Sequence, residues 1–150
     1  MNIFLIFSFF NRHENNFLFP VKLSFHFSGC NKTLTDLSGI VESSSYPNYP
    51  NNLLCAWQIK ASTDERISLV FQYFDLEYST NCSRDSLEVW EQWNTPNEKF
   101  IGKFCGYLLG KWLQSNGSSL YIRFKTDSKT IRRGFRLKYS VVKSGTFVFQ

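Results

Sequence analysis

The sequence predicts an all-β protein built as an antiparallel sandwich, and three observations carry that expectation. From Gly39 onward, apolar residues recur with a period of two, the mark of strands with one buried face. No segment keeps an amphipathic 3.6-residue period over three turns. Short Pro, Asn, Gly and Ser clusters punctuate the alternation, as in YPNYPN (46–51), where the chain cannot join a ladder.

Each strand has its own pattern. GIVES (39–43) is a short first one. CAWQIKA (55–61) places Cys55, Trp57 and Ile59 on one face, and RISLVFQYF (66–74) does the same with Ile67, Leu69, Phe71 and Tyr73. SLEVWEQW (86–93) offers Leu87 and Val89, and KFIGKFCG (99–106) is another short strand. SLYIRFK (119–125) turns Leu120, Ile122 and Phe124 inward, and GFRLKYSV (134–141) turns in Phe135, Leu137, Tyr139 and Val141. Seven or eight short strands with turns between them form a sandwich.

Bulk properties narrow the class. A chain of 150 residues suits one domain with a sizeable core. At 43% hydrophobic and 18% aromatic it is not a disordered segment. No stretch reaches the roughly 18 apolar residues of a membrane-spanning helix. Cys30, Cys55, Cys82 and Cys105 are widely spaced, without the C-x2-C pairs of zinc sites or redox motifs. Disulfides and an oxidising compartment are the better reading. The sequential pairing is one of three that four cysteines allow, and each of its bridges would contribute about 3 kcal/mol. Sequons at Asn31, Asn81 and Asn116 fall in expected loops or termini and are glycosylation candidates.

The net charge is +5, much of it alternating with apolar residues as in Arg123 and Lys125, which reads as a solvated sheet face. Residues 1–29 differ from the body. MNIFLIFSFF lacks a basic start and a clear small-residue cleavage site, so the head reads as a poor signal peptide or a wrongly assigned leader. Residues 143–150 read as an uninformative tail. Such flanks fit a fragment of a longer modular protein.

FDLEYSTNCSRDSLEV (74–89) raises the functional question. Glu77 ends one strand and Asp85 opens the next, so a hairpin brings both to one rim of the sandwich. Two carboxylates a few ångströms apart repel, and a hard cation removes the conflict. Calcium takes six to eight oxygens at about 2.3–2.6 Å.

An ordered series of landmarks runs through the same body. It comprises Cys30, Gly39-Ile40, Tyr46-Pro47, Tyr49-Pro50, Cys55-Ala-Trp57, FQYFDLE (71–77), Cys82 and Asp85-Ser-Leu87. Phe104-Cys-Gly106, Phe124-Lys-Thr-Asp127, Gly134-Phe135 and Tyr139 complete it. In this order the series resembles a CUB domain, the extracellular module of complement proteases, tolloid-like proteinases and many receptors, over residues 30–142. The resemblance implies a jelly-roll-like antiparallel β-sandwich with two disulfides, Cys30–Cys55 and Cys82–Cys105. It also implies a calcium site in which Asp127 joins Glu77 and Asp85, a backbone carbonyl near Ser128 completes the shell, and Tyr49 hydrogen-bonds the ligands. Departures exist: the YPNYP turn is one residue short, Ser44 stands where Pro is frequent, and Lys129 replaces a small residue beside Asp127.

What the resemblance implies for function is protein recognition: a Ca2+-organised rim of Tyr49, Glu77, Asp85 and Asp127 accepting a Lys or Arg of an extracellular partner. Other CUB, EGF-like or protease modules of the same parent protein are expected companions, and the expected location is secreted or cell-surface. Catalysis is not expected, because the histidines, His13 and His26, lie in the atypical head and no HExxH occurs. The competing reading is a calcium-independent polyanion or carbohydrate binder using Lys125, Lys129, Arg132 and Arg133. Nucleic-acid binding is disfavoured, since the aromatics are expected to point into the core.

Overall fold

The computed structural model describes residues 30–145. The expected leader (1–29), with His13 and His26, and residues 146–150 of the tail lie outside the described residues. In chain order the strands are β1 (Lys32–Leu34), β2 (Ser38–Glu42), β3 (Leu54–Lys60), β4 (Glu65–Asp75), β5 (Ser86–Glu91), β6 (Lys99–Phe104), β7 (Trp112–Gln114), β8 (Ser119–Lys125) and β9 (Gly134–Lys143). A single 3-10 turn, Thr80–Cys82, interrupts the β4–β5 connection. One sheet has the order β1-β3-β8-β5-β6 and the other β2-β9-β4-β7.

Among the described residues all strand pairings are antiparallel except β1 with β3. The exception has a covalent cause. Cys30 precedes β1 and Cys55 sits at the start of β3, and the two are bonded. Both strands therefore leave the bridge in the same direction, in register Lys32 with Trp57. Cys82 and Cys105 form the second bridge, so the pairing is the one the resemblance implies.

Between the sheets lies a core of alternating inward residues. Phe124 and Phe135 meet edge to face at 5.0 Å, Trp57 meets Phe135 at 5.9 Å, and Phe71 meets Phe104 at 5.3 Å. Such aromatic pairs add to the burial of their apolar area.

Two strands depart from the expected alternation. A bulge in β4 between Phe71 and Tyr73 reverses the faces, so Phe74 is fully buried and Tyr73 turns outward. In β5 another irregularity follows Val89, and both faces are covered from Trp90 onward. Trp90, Phe100 and Tyr121 form an outward aromatic group, so not every aromatic points into the core.

Strand register places the connections that matter at one end. Leu54 and Ser86 both lie opposite Lys125, while Asp75 lies opposite Gly134. The β2–β3, β4–β5 and β8–β9 connections therefore converge there.

Candidate functional site

Backbone hydrogen bonds tie these connections together before any acidic side chain is considered. Thr126 and Leu53 exchange bonds: the Thr126 N–H donates to the Leu53 carbonyl at 3.0 Å, and the Leu53 N–H donates to Thr126 Oγ1 at 2.9 Å. Next to them the Asn52 N–H donates to the Asp127 carbonyl at 2.7 Å. The β4–β5 connection is held from the other side. The Leu76 N–H donates to the Gly106 carbonyl at 2.9 Å, and the Cys82–Cys105 bridge pins the same loop. Gly134, at φ 95°, ends the β8–β9 connection against Ser43, where a side chain would collide with the serine hydroxyl.

The scaffold brings Glu77, Asp85 and Asp127 together, with one carboxylate oxygen from each lying within 4.8 Å of the others. Asp85 is fully buried and Glu77 is 5% exposed. Two buried carboxylates beside a third are costly unless satisfied. Asp85 Oδ2 accepts from the Tyr49 hydroxyl at 2.5 Å, and Oδ1 accepts from the Asp127 N–H at 2.9 Å. Tyr49 in turn accepts the Glu77 N–H at 3.1 Å and packs edge-on against Phe124. Asp127 Oδ1 accepts the Lys129 N–H at 2.8 Å. Burial above all pushes the Asp85 carboxyl up, and the charges of Asp127 and Glu77 push it the same way against the two hydrogen bonds. Burial and the Asp85 bond likewise push the Tyr49 hydroxyl up, which keeps it a donor at neutral pH.

Glu77 is incompletely satisfied. Its Oε1 accepts from Arg84 at 2.6 Å, whereas Oε2 is buried and has no partner among the described residues. Arg84 leaves 56% of its side chain in solvent, so the cluster is only partly neutralised. The donor set consists of oxygen alone, which fits a hard divalent cation rather than a soft metal.

Ser128 is exposed, and its carbonyl accepts from Asn51 Nδ2 at 3.3 Å. Lys129 is exposed and meets Asp127 through its backbone. Among the described residues the cation paired with the cluster is Arg84, which no motif in the sequence marks; the same holds for Asn51. Arg84 stands beside Asp85 in sequence, but nothing in the spacing says which carboxylate its seven-residue reach meets. The basic residues Lys125, Lys129, Arg132 and Arg133 are all exposed on or beside the β8–β9 connection. Of the sequons, Asn81 lies in the β4–β5 connection, Asn116 in the β7–β8 turn, and Asn31 beside the Cys30–Cys55 bridge, where its Oδ1 accepts the Ala56 N–H at 2.9 Å. No helix among the described residues is long and apolar enough to cross a membrane.

Two sheets stapled by two disulfides, with three carboxylates gathered on one rim, define a compact disulfide-bonded β-sandwich module. The family model for the CUB domain matches residues 30–139, and the chain belongs to that family. It is 35% identical to human cubilin over 133 residues, covering 88% of this chain and 4% of cubilin. It is 34% identical to human tolloid-like protein 1 over 113 residues, covering 75% of this chain and 11% of that protein. The chain thus spans only a small part of the curated relatives it matches. A crystal structure of the MASP-1 CUB2 domain bound to Ca2+ superposes with a TM-score of 0.65 at 27% identity, covering 74% of this chain and 98% of that one.

Proposed function

We propose that this domain is an extracellular, calcium-dependent recognition module whose Glu77–Asp85–Asp127 rim docks a basic side chain of a protein partner. The observation that carries the reading is Glu77 Oε2, a buried acceptor without a partner among the described residues, on a side chain of the three-carboxylate cluster. A buried polar atom left unpaired costs about 1–3 kcal/mol, more if charged, so its retention calls for a ligand. The Ca2+-bound state of the MASP-1 CUB2 domain supports calcium as that ligand.

Glu77, Asp85 and Asp127 would hold the ion, with the Ser128 carbonyl as a backbone donor. Calcium would supply two positive charges where three negative ones meet. The chain's own groups do the rest. Tyr49 and the Asp127 N–H fix both oxygens of Asp85, and the Lys129 N–H fixes Asp127. Loops ordered in advance reduce the entropy cost of association. A carboxylate oxygen at the exposed edge of the rim then accepts a charge-assisted hydrogen bond from a partner's Lys or Arg.

Thermal denaturation with and without calcium tests this reading, because an ion bound only by the folded state raises the midpoint. The midpoint should rise in millimolar calcium and return to baseline in chelator. Asp85→Ala should abolish the rise and weaken partner binding; an unchanged rise in that variant would refute the assignment. A second reading, a polyanion site, is favoured by the four exposed basic residues around the β8–β9 connection. Heparin retention that persists in chelator and disappears on neutralising Arg132 and Arg133 would support it.

A further inference from the structure

The segment from Glu77 to Arg84 is folded back on itself. Leu76 is tied to Gly106 by its N–H, and Cys82 is bonded to Cys105. Between these anchors the Cys82 N–H donates to the Ser79 carbonyl at 3.0 Å, and the Arg84 N–H donates to Ser79 Oγ at 3.1 Å. Asn81 and Cys82 turn the chain through left-handed backbone, at φ 55° and 47°. The result is a fixed loop that returns the Arg84 guanidinium to the carboxylate at its start. Arg84 Nη1 lies 2.6 Å from Glu77 Oε1.

Burial in this pair is uneven: the Arg84 side chain is 56% exposed and that of Glu77 only 6%. The guanidinium is therefore the cover between Glu77 Oε1 and solvent. A cation approaching Oε1 from outside would take the path that Arg84 already occupies, and would have to displace it. Other rim oxygens are committed inward. Asp85 Oδ1 and Oδ2 accept from the Asp127 N–H and the Tyr49 hydroxyl, Asp127 Oδ1 accepts the Lys129 N–H, and Glu77 Oε2 is buried.

Charge balance leads to the same oxygen. Ionised Glu77, Asp85 and Asp127 bring three negative charges together. A calcium ion would cancel two of them and Arg84 the third, leaving nothing to attract a basic partner. With Arg84 off Glu77, one negative charge remains, which a single Lys or Arg of a partner cancels.

We propose that Arg84 determines the specificity of the rim by occupying, within the chain, the Glu77 oxygen that a partner's basic side chain takes. Docking is then an exchange of one cation for another. The proposal rests on the calcium-rim reading above and names how that rim is regulated. The internal pair sets a threshold. A lone basic side chain gains little by the exchange, whereas a partner with further contacts around the rim displaces Arg84.

The test titrates the isotope-labelled full chain by NMR in saturating calcium with the peptide acetyl-Gly-Lys-Gly-amide. Acetyl-Gly-Gln-Gly-amide serves as the uncharged control and should not bind. In wild type the lysine peptide should shift the Glu77 amide and the Arg84 Nε–H signals together, because one ligand replaces the other. Arg84→Gln should tighten the peptide roughly two- to tenfold, the gain expected when a tethered, solvent-facing ion pair stops competing. Arg84→Lys should restore the wild-type affinity. Lys125→Gln removes an exposed charge from the same end of the sandwich and should tighten the peptide less than about twofold. An Arg84→Gln variant that binds no tighter than wild type, or whose gain Lys125→Gln matches, would overturn the proposal. So would an Arg84 signal that stays in place while the peptide saturates. Calcium binding followed on the same amide signals separates the two claims. A rim that takes no calcium sinks the calcium reading and this proposal with it, whereas calcium uptake with unchanged peptide affinity sinks this proposal alone.

Discussion

Replacing Tyr49 with phenylalanine removes one oxygen from the centre of the rim and leaves the ring that packs on Phe124. Two bonds go with it. The Asp85 carboxylate loses its 2.5 Å hydroxyl donor, a charge-assisted bond worth about 1.5–3 kcal/mol. The buried Glu77 N–H loses its 3.1 Å acceptor, at about 1–3 kcal/mol for an unpaired group. The two losses share one site and do not add fully, so a total of about 2–4 kcal/mol is expected in chelator. At about 4 °C per kcal/mol for a domain of this size, Tm should fall by roughly 8–16 °C, read by circular dichroism at pH 7. Calcium should recover part of the loss, since the ion takes over the Asp85 charge. A fall below about 3 °C in chelator would refute the claim that Tyr49 ties Asp85 to Glu77.

Other perturbations probe different parts of the site. Asp85→Asn keeps the shape but removes the buried charge and one of the two acceptor oxygens used by Tyr49 and the Asp127 N–H, so it should abolish the calcium response. Because the folded-state pKa of Asp85 is raised, chiefly by burial, its contribution is full below the ordinary carboxyl range near 3.9 and is lost as pH climbs through the raised value. Wild type should therefore lose stability relative to Asp85→Asn as pH rises above the ordinary carboxyl range in chelator; parallel pH curves would contradict this. Arg84→Gln should tighten calcium binding roughly three- to tenfold by calorimetry, the effect of one screened unit charge beside Glu77, and weaker binding would show that Arg84 supports the ligands instead. Converting both Cys82 and Cys105 to alanine should cost about 3 kcal/mol and blunt the calcium response, because the pinned loop carries Glu77 and Asp85. An undiminished response would mean that the loop needs no staple.

The parts of the fold legible in the sequence are those with enough length to show a period. β3, β4, β8 and β9 each hold an alternating run, and their inward residues from Cys55 to Leu137 are buried. β1 and β7 are not legible in the sequence, because three residues cannot display alternation. Alternation alone puts Tyr73 on the wrong face, because a bulge leaves no mark in composition, only a shift of phase that Phe74 reveals. At the site, Glu77 and Asp85 are legible as acids flanking one connection, but that connection is not the expected hairpin: β4 and β5 lie in different sheets, so it crosses from one sheet to the other at the rim. Asp127 and Tyr49, at separations of 42 and 36 residues from Asp85, came only through the family resemblance. Arg84 and Asn51 were not visible at all, because their roles depend on which loop tips the register brings together. Lys129 carries a charge beside Asp127 in sequence, yet it meets the cluster through its N–H, a contact any residue other than proline could make.

The most direct measurement is a crystal structure of this chain grown in several millimolar calcium, with anomalous data to identify the ion. The account predicts a single calcium peak with oxygens of Glu77, Asp85 and Asp127 at about 2.3–2.6 Å. Arg84 still paired with Glu77 and no peak among the three carboxylates would contradict it.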